Sequence, residues 1–321
     1  MADTEIYDLI AFGRSCVDFT YLVEPGQEQS SKAPIMKEIV SGGGQAATSA
    51  VIVSLLGGNS AYVGNLGWDD GGMLLLKEFR RFGVDCRWVE RPHKFLTPKA
   101  IVIVDPLSGH RKIYYQPKQD HFSCPLPEEA IKQCKTLILD PEISLEDLQK
   151  VKNWKKPESL VIYDAERRRP ALDAMKEFAD FFIASETILD VNSKISREIA
   201  LKNLLQDVSG ELVITFGENG SIWWKDKIKP IHIPSIPFNH ICDTTGAGDV
   251  FHASFAYFYP QSKDMILALK CATYCASLST TLLGTRQKVN YKEELECTVN
   301  KIKETDLNEL PSWLLRRNPK Y

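Results

Sequence analysis

Short apolar runs that alternate with helical segments constrain the fold of this chain more than any other feature. The run Ile6 to Phe12 comes first; a helix of small apolar residues over Gln45 to Leu56 and a second run, Ala61 to Val63, follow later. Further β-rich runs occupy Thr136 to Leu139, Leu160 to Tyr163, Phe181 to Ala184 and Glu211 to Thr215, with helical segments between several of them. Such alternation is typical of βαβ units, so we predict an α/β fold: a doubly wound, mostly parallel sheet flanked by helices.

Two stretches do not follow this alternation. Residues 18–40 come after the first strand without a helix, and residues 94–122 contain two β-rich runs, Lys99 to Val104 and Arg111 to Gln116. The turn-forming residues Asp105 to Gly109 separate these two runs, which is the pattern of a β-hairpin. The sequence therefore predicts a mid-chain hairpin that stands outside the alternating units.

Composition and charge narrow the classes of function. The 321 residues are 44% hydrophobic and 25% charged, which is ordinary for a globular protein, and the net charge of −3 offers no basic excess for nucleic acid. No stretch approaches the ~20 apolar residues that span a bilayer, and the acidic N-terminus is not a signal peptide. Eight cysteines without a C-x-x-C pair favour buried thiols in a reducing compartment over a zinc or redox site. We therefore expect a cytoplasmic protein without nucleic-acid or membrane partners.

The clearest chemical signal is the run Asp243-Thr244-Thr245-Gly246-Ala247-Gly248-Asp249. It joins a short extended segment to an apolar helix, and its glycines allow the backbone to approach a ligand closely. The N-terminus of the helix presents unpaired N–H groups and a positive dipole end, which attract a phosphate group. An acid such as Asp249 repels an anion, but it can take a proton from a hydroxyl that attacks phosphorus. The alternative is a glycine-rich turn capped by an aspartate.

This run resembles the signature of the ribokinase (PfkB) family of sugar and nucleoside kinases, and other motifs match in family order from Gly13 to about Gly284. The resemblance implies a single ribokinase-like α/β domain over residues 1–321. In such a domain, segments of about 15–40 and 95–122 form a small β-sheet lid over the sugar site, and the lid often mediates homodimerisation. The lid would close over the substrate and exclude water.

The resemblance also implies an ATP-dependent kinase that transfers the γ-phosphoryl group to a primary hydroxyl of a small sugar. Asp249 would act as general base. The backbone amides of residues 245–248, among them the catalytic Gly246, Ala247 and Gly248, would form an anion hole. Mg²⁺ would bridge the phosphates of ATP and neutralise their charge.

The sugar-binding residues are carried over from the family one by one. Gly42 and Gly43 stand where the family has a Gly-Gly pair that contacts the sugar, although a flexible turn before a helix is the alternative. Asp18 stands where the family has an aspartate that accepts two sugar hydroxyls. Most members have Asn shortly after the glycines, whereas this chain has Gln45. Arg111 lies in a Gly-x-Arg run similar to that of ketohexokinases, and could instead be a charge on an edge strand. We expect the substrate-binding set to be Asp18, Gly42, Gly43, Gln45, Arg111 and Asp249.

A second turn, residues 215–220, is similar to the Thr-x-Gly-x-x-Gly turn that wraps the nucleotide in the family. Its alternative is an ordinary link between two strands, since a β pattern resumes at residue 221. A helix predicted over Met265 to Thr281 flanks the adenine in the family. We expect the ATP-binding set to be Thr215, Gly217, Gly220, Thr245, Gly246, Gly248, Ala272 and Ala276.

The metal sites depart from the family pattern. Many members have an Asn-x-x-Glu whose Glu organises water around magnesium, but Ser185 and Ile188 occupy those positions here. Glu186 is the candidate that could take part of this role through water. Asp243, with the loop around Leu283 and Gly284, could frame a K⁺ site through carbonyl oxygens.

Three further features receive predictions of their own. The run Asp164 to Pro170 is similar to the Asp-x-Asn-x-Arg-Pro run of fructokinase-like members, and its arginines could meet an anionic group on the substrate or simply begin a surface helix. His252 is expected to be a packed or hydrogen-bonding helix residue. Trp313 with Leu314 and Leu315 could form a docking patch in the polar C-terminal tail.

The motifs look most like those of sulfofructose kinase-like and ketohexokinase-like members, which favours a ketose or an acidic sugar derivative as substrate. A nucleoside kinase of the adenosine type is the alternative within the family, and the aromatic residues Phe19, Tyr21, Tyr114 and Tyr115 keep it open. A catalytically silent sugar- or nucleotide-binding protein of the same fold is the alternative outside it. P-loop and protein kinases are excluded, because their signature motifs do not occur.

Overall fold

The computed structural model describes residues 6–26, 30–107, 111–117, 124, 126–165, 171–190, 194–225, 229–287 and 289–316. The strands are β1 (Tyr7–Phe12), β2 (Cys16–Val23), β3 (Ile35–Gly43), β4 (Ser60–Asn65), β5 (Val89–Glu90), β6 (Lys99–Val104), β7 (Arg111–Tyr115), β8 (Cys134–Leu139), β9 (Leu160–Ala165), β10 (Phe181–Ser185), β11 (Glu211–Thr215), β12 (Ser221–Lys225), β13 (Lys229–Ile233) and β14 (Thr305–Asp306). The helices are α1 (Gln45–Leu55), α2 (Asp70–Phe82), α3 (Glu128–Lys132), α4 (Leu145–Trp154), α5 (Leu172–Phe178), α6 (Arg197–Asp207), α7 (Ala247–Ser262), α8 (Met265–Ser279), α9 (Leu295–Val299) and α10 (Ser312–Leu315).

Within the described residues, ten strands form one large sheet in the order β14-β13-β12-β11-β10-β9-β8-β1-β4-β5. Pairing is parallel from β5 to β11 and antiparallel from β11 to β14. After β1 the chain first builds β4 on one side and later β8 on the other, so the strand order reverses at β1. Ligands of open α/β sheets bind at the carboxyl ends of the strands beside such a reversal, which here means the residues just after Phe12.

Two apolar cores lie on the two faces of this sheet. One contains the buried residues of α1, α2, α7 and α8, and the other contains those of α3 to α6 and the C-terminal tail. The central strands are buried on both faces, as in β4, where every residue from Ser60 to Asn65 is buried. The predicted doubly wound α/β fold is confirmed, and the predicted strands and helices agree with the observed ones to within a few residues.

The two stretches outside the alternation form a separate four-stranded sheet in the order β3-β2-β6-β7, which we call the lid sheet. Strand β2 pairs with β3 in antiparallel and with β6 in parallel orientation, and β6 and β7 form the predicted hairpin. Residues 27–29, 108–110 and 118–122 of the expected lid segments lie outside the described residues.

The cysteines Cys16, Cys86, Cys124, Cys134, Cys242, Cys271, Cys275 and Cys297 are free thiols. Of these, Cys297 is exposed and the others are buried or half-buried, mostly as expected from their apolar surroundings. In the described part of the chain, no helix has the length and apolar character needed to span a membrane.

Candidate active site

The glycine-rich run forms a loop that opens α7. Gly246 is the N-cap of the helix, with a φ of 73° and no capping bond from a side chain. The N–H of Ala247 makes only a long hydrogen bond of 3.4 Å to the Thr244 carbonyl oxygen, so the start of the helix can offer N–H groups to a ligand. Gly248 is exposed, and a Cβ at this position would meet nothing within 4 Å. Asp249 is half-buried in the first turn and is not the N-cap. The loop and the helix terminus together form a site suited to an anion, and Asp249 lies in the adjoining helical turn. We call residues 243–249 the anion loop.

The side chain of Asp243 holds this loop through two hydrogen bonds to backbone N–H groups. It is 1% exposed, and its two oxygens accept hydrogen bonds from the backbone N–H groups of Thr245 at 2.8 Å and Gly284 at 3.0 Å. The hydroxyl of Thr285 donates to the carbonyl oxygen of Thr245 at 2.9 Å. A Cβ on Gly246 would overlap the Thr285 side chain, so glycine is required there by packing as well as by its φ. The anion loop is therefore held rigidly to residues 284–285.

Asp18 and the glycines Gly42 and Gly43 come together where β2 and β3 meet the large sheet. Asp18 pairs with Ser41 across the strands, and a Cβ on Gly43 would overlap the Asp18 carboxylate. The thiol of Cys16 donates to Asp18 Oδ1 at 3.1 Å. Burial raises the pKa of the Asp18 carboxyl, and burial together with the nearby Asp18 charge raises the pKa of Cys16 well above its usual value.

An ion pair between the buried Arg286 and the half-buried Glu78 holds Gly42 and Gly43, which are the last two residues of β3 and not a turn. Arg286 donates from Nη2 to the Gly43 carbonyl oxygen at 2.6 Å and from Nε to the Thr48 hydroxyl at 3.2 Å. Its Nη1 lies 3.3 Å from Glu78 Oε2, which also accepts from the N–H of Gly42 at 2.8 Å. A Cβ on Gly42 would overlap both charged side chains. The sequence offered no signal for this pair, because Glu78 and Arg286 belong to distant segments.

The lid sheet reaches the anion loop through Arg111. Its Nη1 donates to the Thr244 hydroxyl at 2.7 Å. In the pairing of β6 with β7, Arg111 lies opposite Val104 and Ile113 opposite Val102. Val102 and Val104 are buried against Leu283 in a small apolar cluster, so this face of the lid sheet is turned toward the anion loop.

Gln45, the residue that departs from the family pattern, lies at the start of α1 and donates from Nε2 to Asp164 Oδ2 at 3.0 Å. Asp164 lies near the carboxyl terminus of β9 and is 4% exposed, as is His252 of α7. His252 Nε2 lies 3.4 Å from Asp164 Oδ1. His252 is a buried hydrogen-bonding residue, as the sequence predicts. The rest of the basic run, residues 166–170, lies outside the described residues.

The second turn, residues 215–220, links the carboxyl end of β11 to β12. The Thr215 hydroxyl donates to the Ala184 carbonyl oxygen at 3.3 Å. Gly217 has a φ of 55° and open space around its Cα, whereas Gly220, with a φ of 84°, lies against the backbone of residues 233–235. On α8, Ala272 is buried and Ala276 is half-buried.

The tail residues that the sequence suggested as a docking patch pack within the molecule. The Trp313 ring lies 5.1 Å from the Phe216 ring, and Leu314 is fully buried. The fully buried Arg197 donates to the carbonyl oxygen of Leu314 at 3.3 Å and from Nη1 to Glu186 Oε2 at 3.0 Å. It also pairs with Asp190. The candidate magnesium residue Glu186 is therefore held in an ion pair with an arginine that the sequence did not single out.

Comparison with known proteins places this geometry in context. The model of the pfkB family carbohydrate kinases matches residues 8–291. A deoxyribokinase from Salmonella typhi is 26% identical over 300 residues, covering 87% of this chain and 94% of the relative. A nucleoside kinase from Methanothermobacter thermautotrophicus is 26% identical over 299 residues, covering 89% and 93%. The structure of Arabidopsis thaliana ribokinase complexed with ribose and ATP has a TM-score of 0.73 at 21% identity, covering 92% of this chain and 99% of that one.

Proposed function

The chain belongs to the pfkB family of carbohydrate kinases, and we propose that it transfers the γ-phosphoryl group of ATP to a primary hydroxyl of a small sugar. The observation that carries this proposal is the anion loop, where Asp249 lies in the first turn of α7 beside the uncapped N-terminus. A binding protein would have no need of a carboxylate beside a phosphate, because the two repel each other. A phosphoryl transferase needs one to receive a proton.

The reaction follows from these groups. Asp249 takes the proton of the sugar hydroxyl while the hydroxyl oxygen bonds to the γ-phosphorus. The bond between that phosphorus and the bridging oxygen breaks, and ADP leaves. The N–H groups of residues 246–248 stabilise the charge on the transferring group at the end of the helix, whereas the N–H of Thr245, which was expected to contribute, is already hydrogen-bonded to Asp243. Because Gly248 is exposed with open space at its Cα, a phosphoryl group fits against this backbone.

ATP would be held along two turns at adjacent strand ends. Thr215, Gly217 and Gly220 form one turn, and Thr245, Gly246 and Gly248 belong to the other. Ala276 of α8, which is half-buried, would flank the adenine, where its small side chain leaves room for a planar ring. Ala272, the other expected residue, is fully buried in the apolar core and would support α8 from within.

Mg²⁺, when bound, neutralises charge on the ATP phosphates. Among the described residues, no group of three or more His, Cys, Asp or Glu side chains could hold a metal. Glu186 is paired with Arg197, so any role of Glu186 is through water. The residues present fit a metal that arrives with ATP. A K⁺ ion would lie against carbonyl oxygens between the loop of Asp243 and that of Gly284.

The sugar would lie between the lid sheet and the anion loop. Asp18 would accept hydroxyls, Gly42 and Gly43 would allow close approach, and Gln45 would add a side-chain contact. Arg111 supports a ketose or an acidic sugar derivative, because its guanidinium lies on the cleft-facing side of the lid sheet. A nucleoside substrate is the second candidate. It is favoured by Tyr115, which is 64% exposed on the same side as Arg111 and could stack on a base.

The lid sheet would also form a homodimer. Val40, Phe19, Ile101 and Tyr114 lie in one row across its four strands, on the side opposite Arg111. Val40, Ile101 and Tyr114 of this row are exposed. An apolar exposed sheet face is a common site of subunit association. Size measurement by light scattering, with Ile101→Lys as the variant, tests this directly.

The deciding experiment measures ADP release from ATP and Mg²⁺ across ketoses, aldoses, acidic sugars, sugar phosphates and nucleosides, for the wild type and Asp249→Asn. We expect one class of sugar to stimulate ADP release. In the variant, kcat should fall by about 10² to 10⁴ while ATP still binds, because the general base is lost. ATP binding without turnover on any compound would instead support a silent binding protein.

A further inference from the structure

A series of hydrogen-bonding groups, with His252 and Asp164 buried at its centre, connects the anion loop to the proposed sugar side of the cleft. His252 lies in α7 with its Nδ1 2.7 Å from the carbonyl oxygen of Gly248. Its Nε2 lies 3.2 Å from the carbonyl oxygen of Ile183 and 3.4 Å from Asp164 Oδ1. The other oxygen of Asp164 accepts from the side-chain amide of Gln45. The series therefore runs from Gly248 through His252 and Asp164 to Gln45.

The chemistry of these partners determines how each group is oriented. The carbonyl oxygens next to His252 only accept hydrogen bonds. The Nε2 atom of this histidine also lies beside Asp164 Oδ1, so Asp164 is held between His252 and Gln45. A carboxylate also accepts only, so Gln45 must turn its NH₂ group toward Asp164.

The carbonyl oxygen of the Gln45 amide is then the end left for a ligand. No described residue donates a hydrogen bond to this Oε1 atom. Gln45 directly follows the run Gly42-Gly43-Gly44, and a Cβ on Gly43 would overlap the Asp18 carboxylate. Gln45 thus borders the same cleft as Asp18, and it presents an acceptor there.

We propose that Asp164, held between His252 and Gln45, is a positioning residue that fixes the Gln45 amide so that its oxygen receives a sugar hydroxyl. This inference rests on the proposed function and adds a specificity to it. At this point of the cleft the substrate carries an uncharged hydroxyl, because a carboxylate or sulfonate would face the acceptor oxygen of Gln45 and the buried charge of Asp164. Any acidic group of the substrate lies elsewhere, on the side of Arg111.

A reciprocal exchange tests the series. Gln45→Glu places two carboxylates against each other. Asp164→Asn leaves one acceptor oxygen, which can serve His252 or residue 45 but not both. In the double variant, the new amide at position 164 donates to the new carboxylate at position 45 and its oxygen faces His252, which restores the contacts of residue 164 with both of these neighbours. The second oxygen of the carboxylate introduced at position 45 still accepts a hydroxyl.

We expect each single variant to raise KM for the sugar about tenfold or more, since a hydrogen bond beside a charge is lost. KM for ATP should stay within about twofold, because residues 45 and 164 are not members of the proposed ATP-binding set. The double variant should recover most of the loss in sugar KM. His240 is an exposed histidine that does not belong to the Gly248–His252–Asp164–Gln45 series. The control variant is therefore His240→Asn, which should match the wild type.

Two outcomes would overturn the inference while leaving the kinase intact. One is a double variant no better than the product of the two single effects, which would mean that residues 45 and 164 do not act together. The other is a parallel rise of both KM values with a drop in melting temperature, as a purely structural role predicts. A wild-type protein that turns over no sugar would be a different result, because it removes the proposed function itself and this inference with it.

Discussion

The guanidinium of Arg286 donates to the carbonyl oxygen of Gly43 at 2.6 Å, although the two residues are 243 positions apart in the chain. Arg286 directly follows Thr285, whose hydroxyl donates to the anion loop at Thr245. One short segment, residues 284–286, therefore contacts both the anion loop and the two glycines at the end of β3, which are the two halves of the proposed site.

The Arg286–Glu78 pair gives a prediction that separates stability from sugar binding. Arg286→Met should lower the free energy of unfolding by about 3–5 kcal/mol, because it leaves the Glu78 carboxylate buried without its partner. The double variant Arg286→Met with Glu78→Leu should recover much of that stability, since apolar replacement of both charges is often neutral. KM for the sugar should stay high in both, because both lack the hydrogen bond from Arg286 to the carbonyl oxygen of Gly43. Denaturant unfolding and steady-state kinetics measure the two effects, and recovery of sugar KM in the double variant would contradict this role.

Gly248→Ala should lower activity without lowering stability. The added Cβ meets no protein atom within 4 Å. In a helix, alanine is favoured over glycine by up to about 1 kcal/mol, so stability should be unchanged or higher. The methyl group should nevertheless lower kcat by about 10² or more, because it fills the space of the phosphoryl group.

Gly246→Ala is the matched comparison for Gly248→Ala. Its Cβ would overlap Thr285, and its φ of 73° disfavours any residue with a side chain. This variant should lose at least about 1 kcal/mol of stability. Thermal unfolding of both variants measures the difference, and a full-activity Gly248→Ala enzyme would show that the phosphoryl group lies elsewhere.

Sugar binding should depend on pH through Asp18. The ionised carboxylate is the form that accepts two hydroxyls, and burial raises the pKa of Asp18. Binding should therefore weaken as the pH falls through this raised pKa, at a higher pH than for an ordinary aspartate, with a limiting slope of about one proton. Calorimetric titration of the sugar into Asp249→Asn at several pH values isolates Asp18 from the base. Adding Asp18→Asn should abolish the pH dependence, and a dependence that persists would assign it to another group.

The contact between Arg111 and Thr244 predicts a role for the lid in turnover. Arg111→Ala should lower kcat/KM for the sugar about tenfold, because the link from the lid to the anion loop is lost. The melting temperature should change by less than about 3 °C, since an exposed hydrogen bond contributes little to folding. Lys112→Ala is the control, because the next residue of β7 faces the other side of the lid sheet. Equal losses in the two variants would mean that charge on the strand matters rather than the contact.

Local sequence patterns were sufficient to predict much of the fold and part of the candidate site of this protein. Alternating apolar runs and helices determined the doubly wound sheet, since burial on both faces and short connections leave few other arrangements. The interruption at residues 94–122 determined a hairpin, and the run from Asp243 to Asp249 located the anion loop, because glycine and helix-start preferences act over a few residues. These features depend on neighbours in the sequence, so the sequence by itself contained them.

The tertiary structure alone decided what stands behind the site. Glu78 of α2 and Arg286 of the loop after α8 form an ion pair only because these elements pack against the end of β3. There they hydrogen-bond to Gly42 and Gly43. In the same way, three distant segments, α7, β9 and the start of α1, meet near the carboxyl end of β9. They bring together His252, Asp164 and Gln45. No local signal marks a charged residue that will be buried, because its partner is chosen by packing over long separations. For the same reason Trp313, which the sequence suggested as an outward docking residue, packs inward on Phe216.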